Sequence, residues 1–268
     1  MYVPDDHAFA LCAYEKSLFL EECIESLLSQ TIRTAVIVCT STPNDYLEEL
    51  ADFYSVPLYV RDGEPNIADD WNFAVDCALG GEEKRLVTIA HQDDVYLPTY
   101  TESMLYDVNS SNCPLIFFSD YAELRDGEVV DENSLLRVKR LMLSPLRLRS
   151  LANSRFTRRR ILSLGSAICC PSVTLCLDNI DIPVFQKGMR TNLDWQAWER
   201  ISRKSGSFVY DPEILMFHRI HGESETSKSL QDDTRKNEDL AMYERFWPKP
   251  IAAFINELYG EGRASNDL

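Results

Sequence analysis

Over its first half the chain alternates short β-rich runs with amphipathic helical patterns, which confines it to a mainly parallel α/β sheet with helices on both faces. Ala8 to Tyr14 is an apolar run. From Ser17 to Gln30 the residues Leu20, Cys23, Ile24, Leu27 and Leu28 recur at three- and four-residue spacing. The unit repeats as Ala35 to Cys39 then Asp45 to Tyr54, Leu58 to Val60 then Ile67 to Leu79, and Leu86 to Ala90 then Pro98 to Val108, with Leu115 to Phe118 as a further strand. Parallel neighbours need a crossover, and these helices supply it.

After Asp120 the pattern changes. Asp126-Gly127-Glu128 reads as a hairpin turn between Ala122-Leu124 and Val129-Val130. Asn133 to Leu177 carries nine basic residues, from Arg137 to Arg160, and no acid, which leaves 18 bases against 43 acids elsewhere. Leucines alternate with these arginines, so the stretch fits either contact with anionic lipid or a lipid diphosphate, or a solvated face paired with the protein's own acids. A helix is expected over Leu193 to Arg203, short strands near Phe208-Tyr210 and Ile214-Phe217, a polar segment over Ser224 to Asn237, and a helix over Glu238 to Leu258.

The net charge of −16 speaks against nucleic acid as a partner. Eight cysteines without a CxxC read as buried thiols in a reducing compartment. No apolar run approaches the ~18 residues of a membrane helix. A cytoplasmic protein is expected, with peripheral contact at the inner face of the membrane as the alternative raised by the basic stretch.

The strongest chemical signal is Ile89-Ala90-His91-Gln92-Asp93-Asp94, an apolar strand ending in adjacent carboxylates. Ligands of such sheets bind outside the carboxyl ends of the strands. Paired carboxylates there suit Mg²⁺ or Mn²⁺ shared with diphosphate oxygens; the simpler role is to cap the following turn.

Several motifs in order resemble the family 2 glycosyltransferases, whose fold is called GT-A. They are Ala10 to Glu15 followed by Phe19 to Thr31, then Gln92-Asp93-Asp94 (similar to a DxD-type metal motif), Cys170-Pro171-Ser172-Val173, Leu193-Asp194-Trp195 with Trp198 and Arg200, and His218-Arg219-Ile220-His221-Gly222 with Ser227. The resemblance covers roughly residues 8 to 228. It implies a GT-A domain over 1–228, with a nucleotide-sugar half (1–119) and an acceptor half (120–228), and a small helical C-terminal extension over 229–268.

The activity implied is metal-dependent, inverting transfer of a sugar from a nucleotide-sugar, a UDP-sugar first among them, to a hydroxyl on a glycan or lipid-linked sugar in polysaccharide or surface-glycan assembly. The resemblance places Tyr14 near the nucleobase or ribose and Asp93 on ribose or sugar hydroxyls. Asp94 would bind Mn²⁺ or Mg²⁺, His221 the metal or a phosphate, and Asp194 would be the general base. Asn72 matches a family Asn on the helix before the metal strand.

Three positions depart from the family. Thr40 stands nearest the Asp that reads the uracil edge, Trp71 replaces an Arg before Asn72, and Leu193 replaces a Glu. Arg219, Lys84 or Arg85 would then supply the missing cation. The structural alternatives are a core aromatic for Tyr14, a helix cap for Asp194, a brace for Asn72 and core packing for Trp195 and Trp198. A nucleotidyltransferase is disfavoured because Leu11 to Phe19 holds no glycine; the remaining alternative is a degenerate GT-A domain that binds a glycan or partner without catalysis.

Overall fold

The structure, a computed structural model, describes residues 1–82, 84–221 and 233–264. The expected parallel half is present. Strands β1 (His7–Ala13), β2 (Ala35–Thr40), β3 (Leu58–Val60) and β4 (Leu86–His91) are joined by α1 (Leu20–Leu28), α2 (Asp45–Tyr54) and α3 (Ile67–Glu82), and they pair in parallel in the order β3-β2-β1-β4. Their carboxyl ends therefore share one edge. Beyond β4 come β5 (Val95–Tyr96), α4 (Tyr100–Asn109), β6 (Pro114–Arg125), β7 (Glu128–Val130), α5 (Ser134–Leu143), α6 (Arg149–Ala152), α7 (Arg155–Leu162), β8 (Val173–Cys176), α8 (Leu193–Ile201), β9 (Ser207–Ile220), α9 (Asp233–Tyr243) and α10 (Lys249–Ala264). The sheet continues as β8-β6-β9-β5, with β8 antiparallel between β4 and β6, and β9 parallel to β6.

Three elements differ from the sequence expectation. β6 runs unbroken through Asp120, because the Arg140 guanidinium meets that carboxylate at 2.6 Å and shifts in register on either side of Asp120 absorb the irregularity. The two short strands near Phe208 and Ile214 are one strand. Pro212 sits in its irregular middle, between Asp211 paired with Ser119 and Ile214 paired with Asp120, where no ladder donor is required. The expected C-terminal helix is two helices, α9 and α10, parted around Pro248, which cannot extend a helix from its interior. The hairpin is as expected: Asp126 and Gly127 both take positive φ (50° and 84°), and Arg125 pairs with Glu128.

The sheet is covered on both faces. One core packs Phe9, Leu11 and Val38 against Leu20, Ile24, Leu47, Tyr100 and Met104 of α1, α2 and α4. The other packs Ala10, Ile37 and Ile89 against Trp71 and Val75 of α3, and it continues through α7 and α8 to Tyr243 and Ala252 of the C-terminal helices.

The basic stretch folds as α5, α6 and α7, and much of its charge is used internally. Buried Arg158 donates to the carbonyls of Ala152, Ser202, Lys204 and Gly206; Arg159 pairs with Glu199, and Arg160 lies 4.5 Å over the Trp247 ring. All eight cysteines are unpaired thiols. No described helix is long and apolar enough to cross a membrane.

Candidate active site

The site grows from the shared carboxyl edge of β1, β2 and β4. After β1 the chain turns through Tyr14, whose backbone is clamped by the Gln92 side chain: Oε1 accepts from Tyr14 N at 2.9 Å and Nε2 donates to Tyr14 O at 3.1 Å. One amide thus locks the turn after β1 to the turn after β4, and it leaves the Tyr14 ring 49% exposed. Beside them, Thr40 closes β2, and its hydroxyl accepts from Thr42 N at 3.0 Å.

Asp94 is fully buried, and its two oxygens have different surroundings. Oδ1 accepts from His218 Nδ1 and from the Arg219 backbone N–H, both at 2.9 Å. Among the described residues Oδ2 has no hydrogen-bond partner, and it lies 3.9 Å from His91 Nδ1. A buried carboxylate oxygen left unpaired carries a desolvation cost that a cation would offset. Asp93 receives His221 Nε2 on Oδ2 at 2.9 Å.

Ligand atoms of His91, Asp93 and Asp94 lie within 4.8 Å of one another, a mixed imidazole and carboxylate set that could hold a divalent metal ion. Trp71 stacks on the His91 ring at 5.1 Å and fixes its plane. Burial pushes the His91 pKa down, against Asp94 and Asp93, which favours the neutral, ligating imidazole. For His218 burial acts the same way, but the Asp94 carboxylate outweighs it and raises the pKa.

Arg219 ties the end of β9 into the site. Its Nε donates to the Asp93 carbonyl at 2.8 Å, its Nη2 pairs with Glu22 of α1 at 2.5 Å, and its guanidinium lies 4.3 Å over the Phe19 ring. Lys84 and Arg85, the other expected cations, sit at the opposite end of β4. There Lys84 donates to the Asp5 carbonyl at 2.7 Å and Arg85 pairs with Asp178, so neither replaces the missing arginine.

Asp194 lies in the first turn of α8. Burial lifts its pKa to about 6, against the backbone N–H of Trp195, the charges of Arg235 and Lys139, and its own N–H. The preceding loop is fixed from outside by Glu238 of α9, which accepts from the backbone N–H groups of Arg190, Thr191 and Asn192 at 2.7, 2.8 and 3.0 Å. Trp195 and Trp198 are core residues, with Trp195 Nε1 donating to the Leu162 carbonyl. Asn72 is a brace: its amide donates to Phe185 O at 2.7 Å and accepts from Phe185 N at 3.0 Å.

Of the residues picked from the sequence, Asp93, Asp94, Arg219 and His221 meet directly, while Tyr14 joins them through Gln92. His221 bonds Asp93, and His91 stands beside Asp94. Gly222 and Ser227 lie outside the described residues, as does the 228/229 boundary. The sequence reading assigned no role to His91, Gln92, His218 or Lys139. His91 and Gln92 were signalled by the strand and motif that end in the carboxylates, and Lys139 only as one of the nine bases between Arg137 and Arg160.

The sequence matches no family model and no curated protein. Solved structures do resemble the fold. S. aureus TarS 1-349 in complex with UDP-GlcNAc is 13% identical at a TM-score of 0.59, over 93% of this chain and 70% of that one. The mannosyltransferase PcManGT from Pyrobaculum calidifontis, in complex with GDP-Man and Mn²⁺, is 10% identical at 0.62, over 96% and 71%. Glucosyl-3-phosphoglycerate synthase from Mycobacterium tuberculosis, in complex with phosphoglyceric acid, is 12% identical at 0.54, over 90% and 79%. Against a longer TarS structure the chain spans 42% of its length. With its parallel half, its antiparallel β8 and the acidic pair after β4, the chain has the GT-A glycosyltransferase fold.

Proposed function

We propose that this protein transfers a sugar from a nucleotide-sugar to an acceptor hydroxyl with inversion at the anomeric carbon. The observation that carries the reading is the unpartnered, fully buried Oδ2 of Asp94 beside His91 and Asp93 at the carboxyl edge of the sheet, in a fold shared with proteins solved in complex with UDP-GlcNAc and with GDP-Man and Mn²⁺. Asp94, Asp93 and His91 would hold the divalent cation, which when bound supplies charge stabilisation to the departing diphosphate. Tyr14 and Thr40 border the nucleoside side, and Arg219, bonded to the Asp93 carbonyl and paired with Glu22, ties the end of β9 and α1 to that edge. Asp194 accepts the acceptor's hydroxyl proton on a carboxylate oxygen as that hydroxyl's oxygen bonds the anomeric carbon and the bond to the diphosphate oxygen breaks. A UDP-sugar donor and a role in polysaccharide or surface-glycan assembly belong to the same proposal. A non-catalytic GT-A binding module is the competing reading, favoured by Trp71 standing where the family's arginine would be.

A thermal-shift panel of UDP, GDP, CMP and dTDP with and without Mn²⁺ decides between the two, because a ligand of the folded state raises its stability by mass action. The transferase reading expects a Mn²⁺-dependent rise with one nucleotide that is lost in Asp94→Asn, which keeps the Oδ1 acceptor. No rise with any nucleotide would leave the binding module.

A further inference from the structure

Lys139 differs from the other two bases of α5. On α5, Arg137 pairs with Glu132 at 2.8 Å and Arg140 with Asp120 at 2.6 Å, and on α7 Arg159 pairs with Glu199 at 2.6 Å. Lys139 makes no ion pair with a described carboxylate. Its Nζ donates to the neutral Tyr121 hydroxyl at 2.7 Å and lies 5.2 Å from the centre of that ring. An ammonium has three donors, so two remain unspent on a half-buried side chain.

Packing puts this cation on the wall of the candidate site. Tyr121 stands edge-on to His218, ring centres 6.2 Å apart, and His218 bonds Asp94 at 2.9 Å. The charge of Lys139 also reaches Asp194, where it opposes the effect of burial, as does that of Arg235 on α9. Glu123, whose charge acts on Lys139, is already bonded to Arg125 at 2.8 Å and Asn133 at 2.9 Å.

A neutral sugar hydroxyl asks for one hydrogen bond, and it does not offset the desolvation of an ammonium. A phosphate ester brings negative charge and several acceptor oxygens in one group. We propose that Lys139 forms an anion subsite on the acceptor side, so that the hydroxyl presented to Asp194 belongs to a phosphate-bearing acceptor. Assigning the subsite to an acceptor rests on the transferase reading; the anion site itself does not.

The test titrates methyl phosphate at low ionic strength in EDTA, which removes metal as a competing anion site, into the wild type, Lys139→Met and Lys139→Arg, following amide NMR shifts. UDP and GDP with Mn²⁺ are titrated separately. The expected result is saturable methyl phosphate binding that weakens about tenfold or more in Lys139→Met and recovers in Lys139→Arg, with nucleotide affinity unchanged within about twofold. Equal binding by Lys139→Met, or no saturable binding by the wild type, overturns the site. Parallel loss of nucleotide affinity overturns the acceptor assignment and places Lys139 in the donor pocket. If no nucleotide binds the wild type, the transferase reading fails while the methyl phosphate titration still decides the subsite. Vesicles containing phosphatidic acid separate the sources: capture competed by methyl phosphate indicates a lipid-borne phosphate, and methyl phosphate binding without capture indicates a soluble one.

Discussion

Replacing Asp194 by Asn should stabilise the protein, and by more as the pH rises. Burial holds the Asp194 carboxyl at about 6 against an ordinary 3.8. Below pH 3.8 both folded and unfolded chains keep the proton, and there is no penalty. Between the two values the unfolded chain ionises while the folded one does not, so stability falls as pH rises; above about 6 the full penalty is present. The gap corresponds to about 3 kcal/mol, of which about 2 kcal/mol develops between about pH 4.5 and pH 7.5. The residue's partial access to solvent makes this an upper figure. Asn has no proton to lose, so urea denaturation of the two proteins at those pH values should show the variant's advantage growing by about 1–2 kcal/mol. A difference that stays constant with pH would refute the assignment of a raised pKa. If Asp194 is also the base, kcat/KM for glycosyl transfer should climb through about pH 6 and level off above it, and the variant should lose that dependence along with most of its activity.

Arg158→Met strips four backbone carbonyls of their buried donor, so urea denaturation should show a loss of about 3 kcal/mol or more with little change in m. Asn72→Ala breaks both bonds to Phe185 and should cost about 1–3 kcal/mol, with faster hydrogen exchange at the Phe185 amide. Gln92→Ala unclamps the turn after β1; the Tyr14 amide should exchange faster and Mn²⁺-dependent nucleotide affinity should fall about tenfold, whereas unchanged affinity would detach that clamp from donor binding.

The parallel half was legible because its rules are local: each strand is followed by the helix that carries the chain back, and both carry their own periodicity. What escaped the sequence depended on distant partners. Asp120 reads as a strand terminator until Arg140, twenty residues on, neutralises it, and Pro212 reads as a gap until the facing register takes up the irregularity. The split between α9 and α10 was legible in Pro248-Lys249-Pro250, yet the apolar periodicity on either side masked it. In the site, Asp93, Asp94, Arg219 and His221 were all singled out from the sequence, and the structure brings them together. The division of labour among the histidines was not readable, since it turns on Trp71 stacking against His91 and on His218 aiming Nδ1 at Asp94. Lys139 was hidden for the same reason. Its role depends on Tyr121 and on which face of α5 turns inward.

Glu238 binds three successive amides and also the Thr191 hydroxyl, at 2.7 Å. A single carboxylate on α9 therefore sets the cooperativity of a remote region. The loop entering α8 cannot open without releasing α9, so residues 190–192 and the C-terminal helices should lose exchange protection together, as one unfolding unit. The geometry around Asp194 then persists only as long as that unit stays closed, and slow fluctuations in the C-terminal helices would register as heterogeneity in the turn that carries it.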